Sequence, residues 1–125
     1  MKGKTSELTG NALSYTLCMI EMPHLVWGKS IGIHAHSNQI VVPELKEPQC
    51  YSPFMDWAQG GLIMEREKIL VGYDHDTDTC AAEMYIDDEL EMMAWGNGET
   101  YLIAAMRCFV ASKLGDEVEI PKELT

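Results

Sequence analysis

The residues best suited to chemistry lie in one segment, Tyr51 to Glu67, where aromatic, amide, glycine and charged side chains follow one another closely. Aromatic side chains on a loop can stack on a planar ligand or anchor a partner, and two adjacent glycines permit close approach of the backbone. Arginine side chains are suited to holding phosphate. The candidate ligand-binding residues are therefore Tyr51, Asp56, Trp57, Gln59, Gly60, Gly61, Glu65, Arg66 and Arg107. The alternative is a structural loop, folded back over a sheet with Trp57 as its plug.

Two patterns contain metal-ligand residue types, but neither predicts a metal site. The run Asp74-His75-Asp76-Thr77-Asp78 resembles the start of a calcium loop. However, the sixth position is Thr79 where glycine is required, and the twelfth is Tyr85 where glutamate is required. His34 and His36 would share one face of a strand and could chelate a metal, yet no third ligand is implied by their spacing. We therefore expect a polar turn at residues 74–79, no metal and no cofactor.

The sequence contains no catalytic motif of a standard enzyme class. A nucleophile elbow, a phosphate-binding glycine loop, a dinucleotide fingerprint and a zinc-protease helix are all missing. The four cysteines, Cys18, Cys50, Cys80 and Cys108, are widely spaced, which is typical of buried thiols in a reducing compartment. We predict a protein that is not an enzyme, with no catalytic residues; a nucleotide-degrading enzyme is the weaker alternative.

Composition restricts the classes of partner. The chain has 125 residues and a formal net charge of -11. Nucleic-acid backbones and anionic membranes attract basic surfaces, so neither is expected as a partner. The sequence has no apolar run near the roughly 20 residues that span a bilayer, and its N-terminus lacks the apolar core of a signal peptide. These features predict a cytoplasmic protein, and the acidic surface leaves a basic protein partner open.

The elements that position these residues begin and end with helices. Apolar spacing predicts a first helix over Leu8 to about Glu21, with Thr9 as N-cap and Pro23 as its stop. A final helix follows Thr100 as N-cap and ends at Gly115. Residues 116–125 are interpreted as a loosely attached acidic tail.

Between the helices the pattern indicates several short strands. The predicted strands are 25–27, 31–34, 40–42, 62–67, 69–73, 80–86 and 90–95. They are separated by a polar turn at 74–79 and a solvated turn at 87–89, and a tight turn follows at 96–98. Residues 51–59 are predicted to be a loop that ends at Gly60 and Gly61. Strands this close together need hairpin connections. The fold class is therefore α+β: one domain over residues 1–125, with a mostly antiparallel sheet and the N-terminal and C-terminal helices packed on one face.

Three stretches resemble a known family. They are Ser6 to Leu13; Tyr51-Ser52-Pro53 with residues 56–61 and 65–67; and Leu102 to Cys108 with residues 110–119. Together they are similar to the NinX-type proteins of lambdoid phages and prophages, over about half of the chain. The sequence departs from that pattern at Phe54, Met55, Leu62 and Tyr101. The resemblance implies an accessory phage protein made in the host bacterial cytoplasm, and it implies no activity, since the function of the family is unknown.

Two functional hypotheses follow from these observations. The first is a homo-oligomeric protein that binds and sequesters a nucleotide-derived immune signal of the host, as an anti-defence factor, through the aromatic and arginine residues above. The alternative is an acidic inhibitor or adaptor that binds a host protein, with exposed tryptophan and methionine side chains as its contacts. The nine methionines fit either core filling or an adaptable groove.

Overall fold

The computed structural model describes residues 1–34, 38–43, 50–85 and 91–124. Within these ranges the chain forms three α-helices and seven β-strands. The helices are α1 (Gly10–Glu21), α2 (Trp57–Glu67) and α3 (Tyr101–Leu114). The strands are β1 (Lys2–Lys4), β2 (Gly32–Ile33), β3 (Ile40–Val41), β4 (Leu70–Asp74), β5 (Thr79–Tyr85), β6 (Met92–Gly98) and β7 (Glu117–Glu119). The pairings are antiparallel, and the predicted α+β class is confirmed.

Helix α3 is the centre of the core. It begins where predicted, with the Thr100 hydroxyl accepting a hydrogen bond from the Ile103 N–H at 3.1 Å, and it ends at Gly115. Its small residues on one side pack against β5 and β6, while α1 and α2 pack against α3. Because α3 is enclosed in this way, its buried positions extend around most of its circumference.

The main sheet has the strand order β4-β5-β6. The β4–β5 hairpin confirms both predicted strands and the polar turn between them. Within that turn the Asp74 carboxylate accepts a hydrogen bond from the Asp76 N–H at 2.9 Å, and Asp78 adopts a φ of 57°. The tight turn predicted at 96–98 is wrong, because Gly96 and Gly98 belong to β6 and lie against α3. The predicted turn at 87–89 lies outside the described residues.

The largest correction concerns α2, where a loop followed by a strand was predicted. The helix starts at Trp57 because the Asp56 carboxylate accepts a hydrogen bond from the Ala58 N–H, and it ends at Lys68, whose φ is 55°. Gly60 is inside the helix. A Cβ there would lie 2.1 Å from the Pro53 carbonyl oxygen, so this glycine is required by a close contact with the preceding loop.

The segment after α1 also differs from the prediction. Helix α1 starts two residues later than expected, with Thr9 at the N-cap position. Residues 25–27 are not a strand, since the Val26 carbonyl accepts hydrogen bonds from the N–H groups of Lys29 and Ser30 in a turn. Gly28 has a φ of 84°, which reverses the chain here. The predicted strands at 31–34 and 40–42 are present as the short pair β2 and β3.

The C-terminal segment is paired, which corrects its interpretation as a loose tail. Strand β7 pairs with β1 at the other end of the chain. Val118 and Ile120 are buried in the core, and the Thr5 hydroxyl donates a hydrogen bond to the Gly115 carbonyl at 2.6 Å. Both chain ends are therefore attached next to α3. No helix in the described part of the chain has the length and apolarity needed to cross a membrane.

Candidate functional site

The loop that precedes α2 is held in place by two of the predicted site residues. The Gln59 side chain accepts a hydrogen bond from the Ser52 N–H at 2.6 Å and donates one to the Cys50 carbonyl at 2.9 Å. Asp56 caps the helix. The side chains of Gln59 and Asp56 thus form hydrogen bonds with nearby backbone groups, and both residues hold the loop in position.

Tyr51 lies beneath this loop and is only 8% exposed. Burial raises the pKa of its hydroxyl well above the ordinary value, and the nearby carboxylate of Glu21 raises it further. A ring enclosed in this way cannot stack on a ligand from solvent. The loop is folded back over the core, as the structural alternative proposed, but its buried aromatic residue is Tyr51 and not Trp57.

Arg66 is surrounded by carboxylates. Its guanidinium contacts both oxygens of Glu21, at 2.8 and 3.0 Å, and its Nε donates to Glu67 at 2.8 Å. It also lies over the ring of Phe109, 5.8 Å from the centroid. The hydrogen bonds to these carboxylates raise the pKa of the guanidinium, so it stays protonated, and their negative charges compensate its positive charge. Arg66 therefore links the end of α2 to α1 and α3.

The solvent-facing side of α2 carries the remaining predicted residues. Trp57 is 58% exposed, and a Cβ placed on Gly61 would lie 3.8 Å from its Cε3 atom, so the indole crosses the helix above this glycine. Glu65 and Leu62 are also exposed. This side of α2 is accessible, but it is convex and separate from Tyr51.

Arg107 is on a different part of the molecule from Arg66. Phe109 faces Arg66. Arg107 is two residues before Phe109 on α3, so its side chain points to the opposite side of the helix. There the Arg107 guanidinium donates hydrogen bonds to the carbonyls of Leu8 at 2.9 Å and Asn97 at 2.8 Å. It borders a groove of about 490 Å³ that Lys4 and Trp95 also line. The predicted site residues are thus not brought together in one pocket.

The sequence interpretation missed the open face of the β4-β5-β6 sheet. Residues on β5 alternate between the two faces, and Cys80, Ala82 and Met84 face α3. The opposite face carries a row across the three strands, with Leu70 of β4 next to Glu83 of β5 and Trp95 of β6. We call this the Leu70–Glu83–Trp95 row. Alternation in residues 80–85 could have indicated the two faces of β5, but not its neighbours.

The row has an apolar residue at each end and a carboxylate at its centre. Leu70 and Trp95 are each 60% exposed. The Tyr85 hydroxyl donates a hydrogen bond to Glu83, which orients the carboxylate and raises the pKa of the tyrosine. Shallow cavities of about 510 and 460 Å³ lie on either side of Glu83, one beside Leu70 and one beside Trp95.

The remaining reactive residue types are the possible metal ligands and the four cysteines. Within the described ranges, no three His, Cys, Asp or Glu side chains converge on a point where a metal could bind; His36 lies outside these ranges. Each of the four cysteines carries a thiol and is not in a disulfide. Burial raises the pKa of Cys18 to about 11 and that of Cys108 to about 12, which keeps both protonated and unreactive at neutral pH.

Comparison with known proteins identifies the family. No curated protein matches the sequence. A family model described as "Bacteriophage P22, NinX" matches residues 4–113, from β1 to the last turn of α3. The match covers the three helices and the sheet with its open face. The chain therefore belongs to the NinX family of bacteriophage P22, a family of phage accessory proteins, as the sequence resemblance predicted.

Proposed function

We propose that this phage accessory protein acts by binding a basic host protein through the open face of the β4-β5-β6 sheet. The Leu70–Glu83–Trp95 row carries the proposal, because it combines two exposed apolar side chains with an oriented carboxylate. Tryptophan and methionine are enriched at the centres of protein interfaces, and the exposed Met92 of β6 lines the same cavity of this face as Trp95.

Charge identifies the kind of partner. The net charge of -11 would repel acidic proteins and increase the association rate of basic ones. An arginine side chain of the partner could pair with Glu83 in two parallel hydrogen bonds while its guanidinium stacks on the indole of Trp95. The partner is therefore expected to present arginine within an apolar patch, and the site of action would be the host cytoplasm.

The test uses two tryptophans with nearly equal exposure, Trp95 on the sheet and Trp57 on α2. The immobilised protein is used to capture partners from host lysate, and the captured protein is then purified and titrated. A central tryptophan contributes about 2 kcal/mol or more, so Trp95→Ala should weaken binding about 30-fold, while Trp57→Ala should leave it unchanged. Glu83→Gln should weaken it by up to about tenfold. Equal retention by wild type and Trp95→Ala would refute the proposal.

A second candidate function is supported by the groove next to Arg107. It has the size of a small-molecule site, with Trp95 as a possible stacking platform and Lys4 as a cation for phosphate. Sequestration of a nucleotide-derived signal would use this groove, although Asp116 and Glu117 in its lining oppose an anion. Native mass spectrometry with cyclic nucleotides and ADP-ribose derivatives tests it: a bound species that Lys4→Ala removes would support sequestration, and no adduct across the panel would exclude it.

A further inference from the structure

Strand β4 has an unprotected edge. In the described part of the chain it pairs with β5 alone. Exposed edges in natural proteins are protected by charges, prolines, bulges or very short strands. Residues 70–73 of β4 include no charge and no proline, and the β4–β5 register has no bulge. The four uncharged residues of this edge are a template for another strand, and Asp74 is the one charge at its end.

The side chains of β4 that face the helical layer are incompletely covered. On β5 the residues of this face are buried by α3. On β4 the corresponding Val71 and Tyr73 are 38% and 43% exposed, because α3 does not extend fully across the edge strand. The Tyr73 ring is held edge-on against His75, with ring centroids 4.9 Å apart. A further strand paired with the edge of β4 would bury the side chains of both Val71 and Tyr73.

We propose that the occupant is a second copy of this chain, paired antiparallel through β4 to form a symmetric dimer with a continuous six-stranded sheet. Gly72 is the midpoint of β4, so pairing about Gly72 includes all five residues of each strand. Val71 then lies opposite the partner's Tyr73, a favourable cross-strand combination of a β-branched and an aromatic residue. A Cβ on Gly72 would meet no atom within 4 Å, so the face of the sheet is open at this residue.

Charge at the ends of β4 is complementary in this register. Two residues before β4 is Lys68, and two residues after it is Asp76; both are exposed. Lys68 is the left-handed C-cap of α2 and Asp76 lies in the β4–β5 turn, so both flank the strand. Antiparallel pairing about Gly72 brings the end of β4 that follows Lys68 alongside the end of the partner's β4 that precedes Asp76. Leu70 lies opposite the partner's Asp74, whose carboxylate is already hydrogen-bonded within its own turn. A basic residue therefore flanks one end of the edge and an acidic residue flanks the other, which favours antiparallel pairing of two copies despite the negative charge of the whole chain.

If the chain forms this dimer, sedimentation equilibrium of the full chain should give a mass of twice 14.0 kDa. Val71→Lys places a charge at the centre of the pairing and should raise the dimer dissociation constant by at least about tenfold. Ile33→Lys is the matched control, since Ile33 has the same 38% exposure on β2; it should leave the mass unchanged. Circular dichroism verifies that both variants are folded.

A charge-swap series at the two flanking residues tests the antiparallel arrangement without altering the strand. Lys68→Glu and Asp76→Lys should each weaken the dimer several-fold, and the double variant should restore it. A monomer at every concentration would overturn the proposal. A dimer that resists Val71→Lys and the single charge changes but is dissociated by Trp95→Ala would also overturn it, because self-association would then use the sheet face.

Discussion

The contact between Gly96 and α3 gives the most direct test of the fold. A Cβ at this position would lie 2.6 Å from the Ala104 carbonyl oxygen and 2.7 Å from the Cys108 nitrogen. Carbon–oxygen contacts normally begin at about 3.3 Å, so Gly96→Ala would push α3 away from β6 by about 0.7 Å. Both opposing atoms are backbone atoms of a buried helix, so no side chain can rotate to make room.

The magnitude follows from two opposing effects. Overpacking a core costs about 1 to 3 kcal/mol, and a rigid backbone contact belongs at the upper end of that range. Alanine in place of glycine restricts the unfolded chain and returns about 0.5 to 1 kcal/mol. The free energy of unfolding should therefore decrease by about 2 kcal/mol, which corresponds to a decrease in Tm of about 5 to 10 °C for a domain of this size.

Gly72→Ala is the control in the same sheet, since a Cβ at Gly72 would meet no atom within 4 Å. We expect it to change the free energy of unfolding by less than about 0.5 kcal/mol, or to increase it slightly. Urea unfolding followed by circular dichroism, at one fixed protein concentration, measures both variants. If the two alanines have equal effects, α3 does not pack on the backbone of β6 at Gly96 and the core described above is incorrect.

Further predictions concern ionic contacts and thiols. Arg66→Ala should lower the free energy of unfolding by about 1 kcal/mol, a modest value because half of this side chain is exposed to solvent; thermal unfolding measures it. Arg66 lowers the pKa of Glu67, so this carboxylate stabilises the fold above its unfolded pKa and loses that contribution as the pH falls through the folded value. Urea titrations between pH 7 and 3 should show a smaller loss in Arg66→Ala than in wild type. Cys18 and Cys108 should react with a thiol reagent only after unfolding, because burial raises both pKa values; reaction at the rate of an exposed thiol in the native protein would contradict their placement.

The elements that the sequence predicted correctly are those whose signals are local. Helix α3 has its capping threonine, its small and apolar spacing and its terminal glycine within residues 100–115. The β4–β5 hairpin has two strand-forming runs separated by a polar turn. In each case the residues that determine the element are neighbours in the sequence.

Helix α2 could not be predicted in this way, because its glycines were interpreted as the end of a loop. Gly60 is in the helix on account of the Pro53 carbonyl, which lies across the interface with the loop. The cost of a glycine in a helix, up to about 1 kcal/mol, is outweighed by a contact that only glycine permits. That contact is tertiary, and no local pattern indicates it.

The same limit applies to the candidate site. Arg66 was interpreted as a free phosphate-binding group, yet one of its carboxylate partners is Glu21, 45 positions earlier in the chain. Glu83 and Trp95 are neighbours only because of the β5–β6 register, which includes an irregularity at Met84 and Tyr85. Residue types indicated what these side chains could do, whereas their neighbours depend on the fold.

The two proposed surfaces meet at Leu70, which belongs both to the edge strand and to the open face, and together they predict a bivalent molecule. In a dimer paired through β4, the two β6 strands are five strand spacings of about 4.8 Å apart, so the Trp95 ends of the two rows are separated by about 24 Å across one continuous sheet. A partner with two binding sites would gain avidity from this arrangement, while a partner with one site would not. Val71→Lys should therefore weaken binding of a two-site partner and leave the affinity for a one-site partner unchanged, whereas Trp95→Ala should weaken both. Loss of one-site binding in Val71→Lys would mean that the host protein itself pairs with β4, and the edge and the face would then be a single surface for one foreign partner.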